Sequence, residues 1–286
     1  MESIYALLIF STFRMALPLF FAAIGGYFSE KSGVAQIALE SYLLIGAFAA
    51  ASSCYFSGSI LVGYILAALT SALFAQIFCI LILKFKANSI VIGSGMNLLA
   101  MGIIPIVSKT LFNSTGSTPS LELPTFNVYL PYVILIIVVT ASYWLSEKTI
   151  WGLQMKFAGE KKQALQSAGI SSLKLQWQSL TISAMITGLG GAVLSTALSS
   201  NYSPLMSAGR GFIALAALIF AGWNLPRALM VCLIFGFCEA LQIQLQSNLL
   251  ISTYVAAEFI QMIPYLATLI ALLLVKSKLS PPAELK

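Results

Sequence analysis

The sequence predicts an all-α membrane protein, a polytopic helical bundle of about eight to nine spanning segments, on three observations. Only 8% of the 286 residues are charged, against roughly 25% in an ordinary soluble domain. Hydrophobic residues make up 59% of the chain, and the mean hydropathy is +0.94. Apolar runs of about 20 residues, the length a bilayer core demands, recur from one end of the chain to the other. Residues 1–286 therefore read as a single transmembrane domain.

The first run, 4–27, has no basic stretch ahead of it and is expected to be a retained helix, not a cleaved signal. The next five are expected at 34–56, 59–83, 88–108, 128–146 and 176–198. The seventh, 211–222, is too short to cross as a regular helix: its length gives about 18 Å of rise against a core of about 30 Å. Irregular backbone at membrane depth needs protein or water around it, so 209–226 is a region of functional interest. Runs at 227–246 and 255–275 complete the set.

Placing the N-terminus outside and the C-terminus in the cytoplasm puts twelve Lys and Arg inside. Only Lys109 and Arg210 are then outside, and Arg14 lies within the first span. All four Trp (Trp144, Trp151, Trp177, Trp223) fall at expected inner helix ends, where amphipathic rings sit at headgroup level. The outer loop, 109–127, is polar and carries Pro119 and Pro124. The inner loop, 147–175, is the densest basic segment, with Lys148, Lys156, Lys161, Lys162 and Lys174. Within it Glu160 to Ala168 is expected to form a short helix with Ala164, Leu165 and Ala168 on one face, stopped by Gly169. That helix either lies on anionic lipid or docks a soluble partner subunit.

The chain has no His and no Asp, which removes His-based metal sites, Ser-His-Asp chemistry and Asp-held magnesium. Cys54, Cys79, Cys232 and Cys238 form no CxxC pair and read as small packing residues. Charges inside a span cost about 2.5–3.5 kcal/mol at a helix centre and should face protein or water. Arg14, Glu40, Glu239 and the more interfacial Glu258 meet that description, with Gln36 and Asn97 as buried amides. Two readings stay open. In one, Arg14 neutralises a carboxylate while Gln36 and Asn97 are interhelical hydrogen-bond glue. In the other, Gln36, Glu40, Asn97 and Glu239 border a polar path through the bundle. Gly25, Gly26, Gly33, Gly93, Gly95, Gly188, Gly190 and Gly191 permit close helix approach under either.

A faint internal echo accompanies them. A shift of 176 residues superposes Gly33, Ile37, Ala38, Leu39 and Gly46 on Gly209, Ile213, Ala214, Leu215 and Gly222, in segments expected to run in opposite directions, as an inverted repeat requires.

Three stretches together resemble the permease subunits of bacterial ABC importers in the branched-chain amino acid, simple-sugar and nucleoside group. They are SEKSGVAQIALESYLLIGAF at 29–48, GEKKQALQSAGISS at 159–172 with GLGGAVLS at 188–195, and AGRGFIALAALIFAGWNLPRAL at 208–229. The last, with FGFCEALQIQLQ at 235–246 and QMIPYLATL at 261–269, is most similar to the nucleoside-type permeases. By position the resemblance implies that Gly159, Glu160, Ala164, Ala168, Gly169 and Ile170 form a coupling segment against an ATPase subunit. Glu40 matches an acidic position in the second-span motif of that group, and 209–215 matches the opening of a later one. The chain departs from the usual pattern at Gln36 and Ser41, where Asn and Gly are common, at Lys161 and Lys162 in place of Asn-Pro, and at Ala221 in place of Gly.

No GxxxxGK[ST] loop is present, so ATP binding falls to another polypeptide. The resemblance implies an importer permease of the bacterial cell membrane that takes up a small polar solute, a nucleoside first. Simple sugars, riboflavin-like compounds and branched-chain amino acids are the alternatives, and an ion-coupled transporter using Glu40 or Glu239 as a proton site is a further one. Implied partners are an ATP-binding subunit, a second permease copy or paralogue, an extracytoplasmic substrate-binding lipoprotein and membrane lipid. No cofactor, metal or nucleic acid is expected, and no covalent chemistry.

Overall fold

The computed structural model describes residues 2–121, 129–247, 257–274 and 281–285. Its helices follow the apolar runs: α1 Glu2–Lys31, α2 Leu39–Ser57, α3 Ile60–Cys79 with a π-helical turn to Lys84, α4 Ser89–Phe112 and α5 Leu130–Lys148. Two shorter helices, α6 Ile150–Glu160 and α7 Lys162–Ser167, precede α8 Ser172–Val193, which a π-helical turn extends to Leu198. Then come α9 Arg210–Phe220, α10 Leu225–Ser247, α11 Ala257–Gln261 and α12 Ile263–Leu274. Seven of these are long and apolar enough to cross a bilayer, where eight to nine spans were expected. The difference lies in α9, as short as its sequence indicated, and in the α11–α12 region, also built of shorter helices.

Small residues set the centre of the bundle. The apolar windows of α2 and α8 are each 72% buried, whereas that of α5 is 17% buried and presents Val133, Ile136 and Ile137 outward. α2 and α8 cross on glycines: a Cβ on Gly46 would lie 2.3 Å from the Gly188 carbonyl oxygen, and one on Gly191 would lie 2.2 Å from that of Leu43. Gly188 also presses on α3, where a Cβ would meet Ser71 Oγ at 2.4 Å. Backbones this close gain dispersion contact that larger side chains would forbid. Gly95 is the exception among the expected close-packing glycines, with open space where its Cβ would be.

The second crossing does not begin where its apolar run begins. Helix α2 opens at Leu39, and 34–36 carries no regular structure. Ser71 of α3 donates to the Tyr42 carbonyl at 3.2 Å, and further along Val34 and Leu83 line a common cavity. From Ser71 to Leu83 helix α3 descends about 18 Å. The facing chain covers that distance between Tyr42 and Val34 only by stretching out. Helix α9 is likewise preceded by irregular chain, residues 199–209.

Several side chains differ from expectation. Among the described residues Arg14 neutralises no carboxylate: its guanidinium donates to the carbonyls of Ala197 and Leu198 at 2.9 and 3.3 Å, satisfying groups that the end of α8 leaves unpaired. Trp223, expected at a lipid-facing helix end, is buried in protein, donating its indole N–H to Glu30 Oε2 at 2.5 Å. The expected Glu160–Ala168 helix is broken at Lys161, because α6 runs through Glu160 and α7 starts afresh at Lys162. On α7 the buried side chain is Leu165, whereas Ala164 and Ala168 are exposed. The stop is as expected, with Gly169 at φ +73°. All four cysteines are free, and Cys54, Cys79 and Cys232 are buried packing residues. In the outer loop the Leu121 N–H donates to the Ser200 carbonyl at 2.7 Å. Residues 122–128, Lys276, Lys278 and Lys286 lie outside the described residues, as does the side chain of Glu258.

Candidate functional site

Two helices start inside the bundle, and each is capped from elsewhere in the chain. Ala38 precedes α2 and offers no side-chain cap. Asn97 of α4 supplies one: its Oδ1 accepts the Ser41 N–H at 3.0 Å, and its Nδ2 donates to the Ile37 carbonyl at 3.1 Å. Gly93, one turn earlier on α4, makes the approach possible, since a Cβ there would lie 3.0 Å from Ile37 Cβ.

Helix α9 starts after Gly209, at φ +79°, again without a cap of its own. Glu40, on the first turn of α2, fills that role. Its Oε1 accepts Ser207 Oγ at 2.6 Å and the Gly209 N–H at 2.8 Å, and its Oε2 accepts the Gly211 N–H at 2.8 Å. Glu40 is 4% exposed, so these donors and the positive end of the α9 dipole replace the water its carboxylate has lost. The position after Arg210 has to be glycine. A Cβ on Gly211 would stand 2.6 Å from the Glu40 backbone nitrogen and 2.8 Å from its Oε2.

Depth follows from helix rise. Helix α9 ends at Phe220, three residues before Trp223, which bonds Glu30 in the last turn of α1. The length of α9 places Glu40 about 15 Å from the level where α1 ends. Arg210, expected on the outer surface, is drawn inward instead: Nε and Nη2 both reach Glu239 Oε2, at 3.1 and 3.0 Å, and Nη1 donates to the Met206 carbonyl at 3.2 Å. The side chains of the pair are 16% and 9% exposed. They border a cavity of about 270 Å³ whose walls also include Ile213, Gln242, Gln261 and Pro264.

Of the expected path residues, Asn97, Glu40 and Glu239 therefore join one connected system, running from Asn97 through 37–41 to Glu40, then through 207–211 to Arg210 and Glu239. Gln36 is fully buried on the irregular segment, and its side-chain amide takes no part in these bonds. Arg210, Ser207 and Gly211 were missed as members. The signal was present in the glycines flanking Arg210, which permit close approach, and in the need of Glu239 for a cation.

The expected coupling residues divide between two surfaces. Gly159 is buried where α6 meets the end of α1, and a Cβ there would lie 2.2 Å from the Lys31 carbonyl oxygen. Ile170 closes a small cluster with Ala158, Leu165 and Leu175. Glu160, Ala164, Ala168 and Gly169 are exposed. The tail leans on the same region, with Glu284 2.8 Å from the Lys162 ammonium.

The family described as branched-chain amino acid transport system, permease component, matches residues 8–274. The chain is 31% identical to the guanosine ABC transporter permease protein NupQ of Bacillus subtilis (strain 168), over 94% of this chain and 92% of that protein. It is 29% identical to the nucleoside ABC transporter permease protein NupC of Lactococcus lactis subsp. cremoris (strain MG1363), over 97% of this chain and 93% of that one. No solved structure matches it significantly.

Proposed function

Because the chain belongs to the family of permease components of branched-chain amino acid transport systems, we propose that it forms the route by which an ATP-driven importer carries a nucleoside across the cell membrane. It is a multi-pass membrane protein and the permease component of an ABC transporter, and ATP hydrolysis belongs to a separate subunit. The nucleoside assignment is supported by the names of NupQ and NupC, each similar to this chain over nearly its full length.

The observation that carries the reading is the Glu40 junction. Two helices, α2 and α9, each preceded by irregular chain, start inside the bundle, with a carboxylate from the first turn of one capping the other. Irregular backbone at membrane depth is tolerated where it is covered by protein or lines a path. Helices α2 and α9 run in opposite senses from their starts, as an inverted repeat requires, although the positive-φ glycines differ in place: Gly209 (φ +79°) directly precedes α9, whereas Gly33 (φ +88°) lies six residues ahead of α2. The basic residues favour placing the α6–α7 end in the cytoplasm and the N-terminus outside. Glu160, Ala164, Ala168 and Gly169 then form a face for the ATPase, while Gly159 and Ile170 tie that face to α1 and α8. A rocking of α6–α7 on nucleotide binding reaches the route through the Gly159 contact with residues 31–33. A second permease copy or paralogue and an extracytoplasmic substrate-binding lipoprotein complete the importer.

The test is reconstitution of the chain with its ATPase, partner permease and binding protein in proteoliposomes, measuring ATP-dependent uptake of labelled guanosine, glucose, riboflavin and leucine. Uptake of guanosine above the others is expected. Uptake of a sugar, flavin or amino acid in its place would overturn the substrate assignment.

A further inference from the structure

The cavity beside Arg210 and Glu239 has a chemistry that narrows what can occupy it. Among the described residues its ionic lining is one guanidinium and one carboxylate, already paired with each other. Both guanidinium contacts to that carboxylate go to Oε2. Glu239 Oε1 receives no hydrogen bond from Arg210, which leaves a carboxylate oxygen beside the cavity outside that pairing. Gln242 lies three residues beyond Glu239 on the same face of α10, and Gln261 projects from α11, so two amides able to donate and accept face the same space. Ile213 and Pro264 supply apolar wall.

We propose that this cavity is the subsite in the permease that selects an uncharged nucleoside. The inference rests on the nucleoside reading above and goes beyond it by assigning the residues and the charge state of the solute. Hydroxyls of a ribose donate to Glu239 Oε1, the amides of Gln242 and Gln261 meet the polar edge of the base, and the apolar wall covers its face. A 5′-phosphate is excluded, because its anion would stand near Glu239 while the only cation among the described lining residues is committed to that carboxylate. A zwitterionic amino acid is disfavoured for a related reason: its carboxylate finds Arg210 only by displacing Glu239.

The experiment uses the assembled importer in proteoliposomes, with Gln242→Cys introduced together with Cys238→Ser, and follows reaction of the introduced thiol with a small maleimide. At ten times its half-saturating concentration, guanosine is expected to slow labelling about tenfold, as simple occupancy requires. Guanosine 5′-monophosphate and leucine are expected to leave the rate unchanged. If Gln242→Cys does not assemble, Ile243→Cys, on the same cavity wall, gives the same readout. Protection by the monophosphate equal to that by guanosine would overturn the inference. So would no protection by guanosine in an importer that still takes it up, which leaves the nucleoside reading standing. An unsubstituted importer that takes up no nucleoside overturns both.

Discussion

Glu40→Gln is the most informative single change, because it keeps the volume of the side chain and removes its charge. The carboxylate accepts three hydrogen bonds, from Ser207, Gly209 and Gly211. An amide presents one oxygen, so either the Ser207–Gly209 side or the Gly211 side faces an NH₂ group and loses its acceptor. A buried donor left unpaired costs about 1–3 kcal/mol, and the bonds that survive weaken from the charge-assisted range to about 0.5–1.5 kcal/mol. The α9 dipole adds up to about 2 kcal/mol in a partly buried setting. The docking of α9 on α2 should therefore weaken by roughly 3–5 kcal/mol. The assay is reversible denaturation of the purified protein in detergent as a double-mutant cycle with Ser207→Ala. The Ser207 change should cost clearly less in the Glu40→Gln background than alone, because its partner is already compromised. A Glu40→Gln protein within about 0.5 kcal/mol of the parent, with additive effects, would refute the capping role.

Other substitutions test the remaining contacts. Gly188→Ala forces a methyl into Ser71 Oγ and the Ala67 carbonyl and should lower stability by about 1–3 kcal/mol, measured by thermal denaturation in detergent. Gly159→Ala should reduce the yield of folded protein, since the added Cβ meets backbone at Lys31. Ala168→Arg, on an exposed position, should leave the yield intact but abolish co-purification with the ATPase subunit. Lys162→Ala removes a half-exposed ion pair with Glu284 and should change stability by less than about 1 kcal/mol, so a larger loss would mean the tail contributes more than its charge.

Most of the architecture is legible in the sequence, because bilayer thickness converts apolar run length directly into spans. The weakness of α9 is legible too, since Arg210 and Arg227 bracket a run too short to cross. What hid the late start of α2 is that Val34, Ile37 and Ala38 are as apolar as a helix interior, so hydropathy continues where the helix does not. Helix-start signals would normally mark such a boundary, but here the cap of α2 comes from Asn97 and that of α9 from Glu40, both distant in sequence. Pairing was the other gap. Arg14 and Arg210 are both cations near spans, and composition does not say that Arg14 meets carbonyls while Arg210 meets Glu239. Trp223 likewise sits at a helix end, and only the fold shows that end turned inward onto Glu30.

The central claim is that the two irregular segments, 32–38 and 199–209, line a route that opens alternately to the two sides of the membrane. Single cysteines placed at Gln36 and Ser207 in a Cys238→Ser background, probed with a membrane-impermeant thiol reagent added from one side at a time, test it most directly. The account predicts that labelling from one side dominates in the resting importer and that labelling from the other dominates once the ATPase is trapped with nucleotide. Labelling from neither side in either state, or from one side regardless of nucleotide, would contradict it.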